Sequence, residues 1–189
     1  MLLHAHRASL LAILVIFTAV LISGCKSYQL GNPTELPFDS IYIKPVTNDS
    51  FAPQAQALIS SQIRDIFIHD GRTKLVTSSE AADAVLIVNL TEYKRYAAAR
   101  RSVDTTVAAS FYLALAAEVS LFNQNKGDYY FQERMVRKSS NAYLNAPYDT
   151  TATTQSQDFL QSEYQAMPRI TRDLARRIAD EVLNPWEPR

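Results

Sequence analysis

From Ser110 to Leu121 the chain alternates without a break. Phe111, Leu113, Leu115, Ala117, Val119 and Leu121 are apolar. Ser110, Tyr112, Ala114, Ala116, Glu118 and Ser120 between them are small, polar or half-polar. Successive strand side chains point to opposite faces, so a period of two makes a half-buried strand. We place it over 107–122. Such a strand requires neighbours in a sheet and a second layer to cover its apolar face.

The flanking sequence supplies both. Ala84 to Tyr96 reads as a long strand with Leu86, Val88 and Leu90 on one side; Ile87 breaks the alternation and suggests a central position there. Tyr129 to Ser139 reads as a third strand, with Tyr130, Gln132, Arg134 and Val136 on one side. The polar stretch Ala97 to Thr106, holding Arg100, Arg101 and Asp104, reads as a hairpin loop, and Asn123 to Asp128 as a turn. Upstream, Ser40 to Val46 forms a short strand whose hydrogen bonding Pro45 should end, since proline has no N–H to give. Thr47 to Ser50 is polar, turn-forming and rich in helix-capping side chains. Thr73 to Thr77 is another short strand, followed by a turn over Ser79 to Asp83.

Two helices complete the pattern. In Pro53 to Asp70, Ala55, Leu58, Ile59, Ile63, Ile66 and Phe67 recur at spacings of three and four, with Gln56, Ser60, Arg64 and Asp65 largely opposite. Gly71 is the expected stop, because glycine takes the left-handed conformation past a last turn. After a loop over Asn141 to Ser156, a second helix fills much of Gln157 to Leu183. Its stripe is Leu160, Tyr164, Met167, Ile170, Leu174, Ile178 and Val182, and Pro168 should kink or split it. The sum is an α+β fold: a mixed sheet of about four to five strands, ordered strand, helix, strand, three-strand meander, helix, with both helices packed on one face.

The first residues read as an export signal. Met1 to Ser9 carry Arg7, two histidines and no acid; Leu10 to Ile22 are almost wholly apolar. That run is short of the ~20 residues a spanning helix needs, and small residues follow it, as at a signal cleavage site. Leu21-Ile22-Ser23-Gly24-Cys25 resembles the lipobox of bacterial lipoproteins, in which the thiol takes a diacylglyceryl group and the new N-terminus an acyl group. The expected organisation is a signal peptide over 1–24, a lipidated tether over 25–38 and a single domain over 39–189. A single acyl chain binds membranes only marginally, so stable tethering needs more than one. Among lipoproteins an Asp after the cysteine commonly retains the protein at the inner membrane. Lys26 stands here and favours the outer one.

Composition excludes several function classes. Cys25 is the only cysteine and His69 the only histidine after it, so neither a disulfide nor a zinc site of the usual ligands is expected. Four glycines in 189 residues leave no glycine-rich phosphate loop. With Arg7 in the leader, 18 basic residues face 19 acidic ones, and no net positive charge points to nucleic acid. No catalytic set, metal or cofactor is expected, apart from the lipid on Cys25. The basic residues Lys94, Arg95, Arg100 and Arg101 surround one hairpin, with Tyr93 and Tyr96 beside them. Arginine forks suit phosphates and carboxylates.

The mature chain resembles the LPS-assembly lipoprotein family, LptE. The resemblance rests on Tyr28-Gln29-Leu30, Leu36-Pro37, Ile41-Tyr42-Ile43-Lys44-Pro45-Val46-Thr47-Asn48 and Phe51-x-Pro53. It continues through Asp70-Gly71-Arg72-Thr73-Lys74-Leu75-Val76, Glu80-Ala81-Ala82-Asp83-Ala84-Val85-Leu86 and Leu174-Ala175-Arg176-Arg177-Ile178. It implies a non-catalytic protein on the periplasmic face of the outer membrane. Such a protein plugs an LptD-type β-barrel, binds lipopolysaccharide and helps deliver it. The resemblance makes Arg100 and Arg101, then Lys94 and Arg95, the candidate lipopolysaccharide contacts. Asn141 to Ser156 holds no Lys or Arg for a second basic contact. Two rival readings stand beside it: a periplasmic lipid or envelope hydrolase, for which the sequence offers no catalytic set, and a lipoprotein that binds and activates a peptidoglycan synthase, a protein-binding module of similar build. Its long disordered tether has no counterpart here.

Overall fold

The structure, a computed structural model, describes residues 36–100, 108–143 and 159–184. The expected leader, Cys25 and most of the tether lie outside the described residues, as do Arg101 and most of the loop before the last helix. The elements are β1 (Ser40–Ile43), β2 (Thr47–Asn48), α1 (Pro53–Asp70), β3 (Lys74–Val76), β4 (Ala84–Arg100), β5 (Ala108–Asn123), β6 (Asp128–Tyr143) and α2 (Phe159–Leu183).

All strands join one sheet in the order β3-β1-β4-β5-β6, with β2 pairing β4 past the end of β1. β1 is parallel to both β3 and β4, whereas β4, β5 and β6 form an antiparallel meander. One sheet face carries Ile41, Ile43, Leu86, Val88, Leu90, Leu113, Leu115, Ala117 and Val119, all buried. Both helices cover it: Ile59, Ile63 and Phe67 of α1 and Met167, Ile170, Leu174 and Ile178 of α2 enter the same core. This is the expected α+β layer. Leu36 and Phe38 already pack on that core, and Tyr130 donates to the Pro37 carbonyl at 3.2 Å.

The structure departs from the sequence expectations at several points. Pro45 ends β1, but pairing resumes two residues later: Thr47 and Asn48 sit opposite Asn89 and Leu90 as β2 rather than forming a turn. The helix cap falls to Ala52, with no side-chain cap and Pro53 in the first turn. Asn48 instead shapes the approach, its Oδ1 accepting from the Ser50 N–H at 2.9 Å. Side chains of α1 satisfy the carbonyls around the break. Arg64 donates to Ile43 O at 3.0 Å and Gln56 to Val46 O at 2.7 Å, so neither simply faces water.

The meander strands are also longer than their alternation suggests. β4 and β5 stay paired out to Arg100 and Ala108, which leaves less of Ala97 to Thr106 as loop. At Glu133, whose φ is 52°, β6 carries a bulge, and Ser120 Oγ accepts the Glu133 N–H at 2.9 Å. One extra residue swaps the faces beyond it. Phe131 pairs with Leu121 and Arg134 with Val119, so Tyr130, Gln132, Arg134 and Val136 do not share one side.

Finally, α2 is one helix through Pro168, and its first turns are rotated from the expected stripe. Leu160 is 67% and Tyr164 77% exposed, while Ser162 and Glu163 are buried. Proline at 168 leaves the Tyr164 carbonyl without its helical N–H. Both residues lie on the exposed side, where water can take that bond.

Candidate functional site

Strand geometry decides where the basic residues of β4 stand. A bulge between Leu90 and Glu92 resets the register, after which Tyr93, Arg95 and Ala97 face Leu115, Leu113 and Phe111 across the pair. They lie on the helix side. Glu92, Lys94 and Tyr96 face Ala116, Ala114 and Tyr112 on the other, helix-free side. Lys94 and Arg95 are therefore not one patch. Arg100 closes β4, and Arg101 lies outside the described residues.

On the helix side, Glu163 of α2 is 8% exposed and collects three donors. Tyr93 Oη donates at 2.5 Å, Arg95 Nη1 lies at 3.3 Å, and Gln54 Nε2 at 3.5 Å. Burial first, and then the carboxylate beside it, push the Tyr93 phenol well above its usual range. Arg95 also lies 5.9 Å from the Tyr93 ring centre. A buried carboxylate with this many partners clasps α2 to β4; Arg95 is partly committed to that role.

The helix-free side is different. Glu92, Ala116 and Arg137 form one row across three strands, and Lys94, Ala114 and Ser139 form the next. Arg137 Nη2 donates to Glu92 Oε2 at 2.7 Å, and Lys94 pairs with the same carboxylate. Lys94, and to a lesser degree Arg137, hold the Glu92 carboxyl below its usual range against partial desolvation. Two cations share one anion, so these two rows together keep a net positive charge. Both cations are more than half exposed. Tyr96 and Tyr112 face each other in the third row, about half exposed. The alanines of β5 keep the floor low between them. A shallow surface of this kind can offer cations to phosphates and ring faces to sugars.

Arg137 was missed by the sequence reading. Its nearness to Lys94 depends on two strand registers, each with a bulge, and no local motif carries that. His69, the other candidate weighed, is exposed near the end of α1, its Nδ1 2.6 Å from the Asp65 carbonyl. No helix among the described residues is long and apolar enough to cross a membrane.

A profile of the family LptE, Lipopolysaccharide-assembly, matches residues 38–182. The chain belongs to the LptE family. Its role is lipopolysaccharide assembly at the outer membrane, in association with an LptD-type barrel and without catalysis, as throughout LptE.

Solved structures agree on the fold. The uncharacterized lipoprotein B of Nitrosomonas europaea is similar with a TM-score of 0.54 and 16% identity, over 84% of this chain and 90% of that one. A hypothetical protein of Chlamydia trachomatis is similar with a TM-score of 0.50 and 16% identity, over 76% of this chain and 95% of that one. At such identities the likeness speaks for the architecture alone. No curated protein matches.

Proposed function

We propose that this LptE-family protein is cut before Cys25, lipidated there, and held on the periplasmic face of the outer membrane. There it binds lipopolysaccharide and lodges in an LptD-type barrel. The single observation that carries the binding proposal is the pair of cationic rows on the helix-free sheet face. Lys94 and Arg137 flank Glu92 there, and Tyr96 and Tyr112 stand exposed two rows on. Phosphates and carboxylates of the glycolipid meet the cations, and its sugar rings meet the tyrosines. Arg100 and Arg101 are kept as further candidate contacts from the sequence, while Arg95 acts in part through its hold on Glu163.

The test is binding of purified lipopolysaccharide to the full chain in detergent. Lys94→Ala/Arg137→Ala and Arg100→Ala/Arg101→Ala should each weaken binding by about tenfold, which corresponds to about 1.4 kcal/mol. Unchanged affinity in either double variant removes that pair from the site. Co-purification of a large β-barrel from solubilised outer membranes tests the partner separately, and so keeps the plug role independent of the glycolipid contacts.

A further inference from the structure

On the side of the helical layer away from the sheet, α1 and α2 leave a groove of about 540 Å³ between them. That is within the size of small-ligand sites, roughly 300–1,000 Å³. Its two walls differ in sign. α2 contributes Arg172 and Arg176, one helical turn apart and both exposed; α1 contributes Asp65 and His69, with Ile66 between them. Residues four apart on a helix project side by side, so the two guanidinium groups can converge on one anion. Among the described residues no ion pair or side-chain hydrogen bond engages Arg172, Arg176 or the Asp65 carboxylate. The remaining acid at this end, Asp70, is already held by Arg72 at 2.7 Å. Opposite charges therefore stand across an open groove without closing on each other.

We propose that this groove binds a zwitterionic phosphodiester headgroup, with its phosphate on Arg172 and Arg176 and its ammonium on Asp65. Paired arginines match phosphate oxygens with fixed, forked donors. A lone carboxylate on the facing wall suits a compact ammonium group, and Ile66 takes the short carbon linker. A purely anionic ligand gains nothing from Asp65, and a purely cationic one gains nothing from the arginines. The site lies on the opposite layer from the glycolipid surface on the sheet, so it stands or falls independently of that assignment.

His69 gives a direct probe, since its ring signals report the groove in proton NMR and the other two histidines lie far upstream at His4 and His6. The full chain in detergent is titrated with glycerophosphoethanolamine, glycerol phosphate and ethanolamine. The whole zwitterion should bind about tenfold more tightly than either half and shift the His69 ring. Arg172→Ala/Arg176→Ala should weaken both phosphate-bearing probes about tenfold. Asp65→Asn should erase the preference for the ammonium-bearing one while leaving glycerol phosphate as before. Charge-assisted hydrogen bonds lost at an exposed site are of this size. All three substitutions are at surface positions, and an unchanged thermal melt checks that each variant is folded. Flotation with phosphatidylethanolamine vesicles distinguishes the source. Arginine-dependent flotation assigns the headgroup to a membrane lipid; glycerophosphoethanolamine binding without it assigns a soluble phosphodiester. Equal affinity for the whole and its halves, variants that bind as the parent does, or no binding at millimolar probe overturns the proposal.

Discussion

Lys94 and Arg95 are neighbours in sequence but stand on opposite faces of β4, Lys94 paired with Glu92 on the open sheet face and Arg95 held by Glu163 under α2. One residue of strand separates a surface contact from a part of the helix clasp. The two alanine variants should therefore separate by assay. Lys94→Ala should leave the melting temperature within about 1 °C, because exposed ion pairs contribute little, and should weaken lipopolysaccharide binding. Arg95→Ala should lower the melting temperature by about 2–4 °C, the shift that about 1 kcal/mol produces in a chain of this size. Calorimetry beside a lipopolysaccharide titration measures both. Equal behaviour of the two variants would contradict the split.

The clasp itself can be taken apart. Glu163→Gln keeps the shape but removes the charge from a buried acceptor of Tyr93 and Arg95. It should cost about 1–2 kcal/mol, in the range for a hydrogen bond to a charged group. Tyr93→Phe should cost about 1 kcal/mol. Combined, the two should cost less than their sum by about 0.5 kcal/mol or more, since the second change removes a partner already lost. Urea unfolding of the four proteins closes the cycle; strict additivity would mean that the 2.5 Å contact does not couple them.

Much of the layer order was legible because it rests on local periodicity. The alternation from Phe111 to Leu121 and the spacing of Ile59, Ile63 and Phe67 each fix one buried face, and Gly71 marks a helix end by its own backbone freedom. Register was not legible. The bulges near Leu90 and at Glu133 decide which side Glu92, Lys94, Phe131 and Arg134 take, and a bulge depends on partners distant in sequence. The start of α2 misled for a related reason. Leu160 and Tyr164 continue the apolar stripe on paper, yet Glu163 turns inward, where Tyr93 and Arg95 offer it donors. Satisfying those donors turns the aliphatic and aromatic side chains outward.

Gly71 ends α1 with φ at 70°, its N–H donating to the Phe67 carbonyl at 3.3 Å. A β-carbon there would touch nothing within 4 Å, so the cost of replacing it is purely conformational. Gly71→Ala should destabilise by about 1 kcal/mol, and Gly71→Asn by less, because asparagine tolerates the left-handed region better. Thermal melts should rank the three Gly, Asn, Ala. An alanine variant as stable as the parent would mean that the left-handed turn is not kept.

Asp83 joins three separate parts of the sheet at one end. Its Oδ2 accepts from Ser40 Oγ at 2.7 Å and from the Ser40 N–H at 3.0 Å, and its Oδ1 accepts from Asn125 Nδ2 in the β5–β6 turn at 3.1 Å. The serine hydroxyl foremost, then Asn125 and the backbone of Ser40, lower its pKa to about 2. In the unfolded chain an aspartate titrates near ~3.9. A value depressed in the fold means that the unfolded state binds the proton first as pH falls. The stabilisation is therefore present in full above pH ~4 and is lost between about pH 4 and 2. Solvent screening at this partly exposed group holds it to about 1 kcal/mol. Asp83→Asn should lower stability at neutral pH by that amount and flatten the acid limb of the stability curve over the same window. Urea midpoints measured from pH 7 to pH 2 check it. An acid limb as steep in the variant as in the parent would assign the acid sensitivity to other carboxylates.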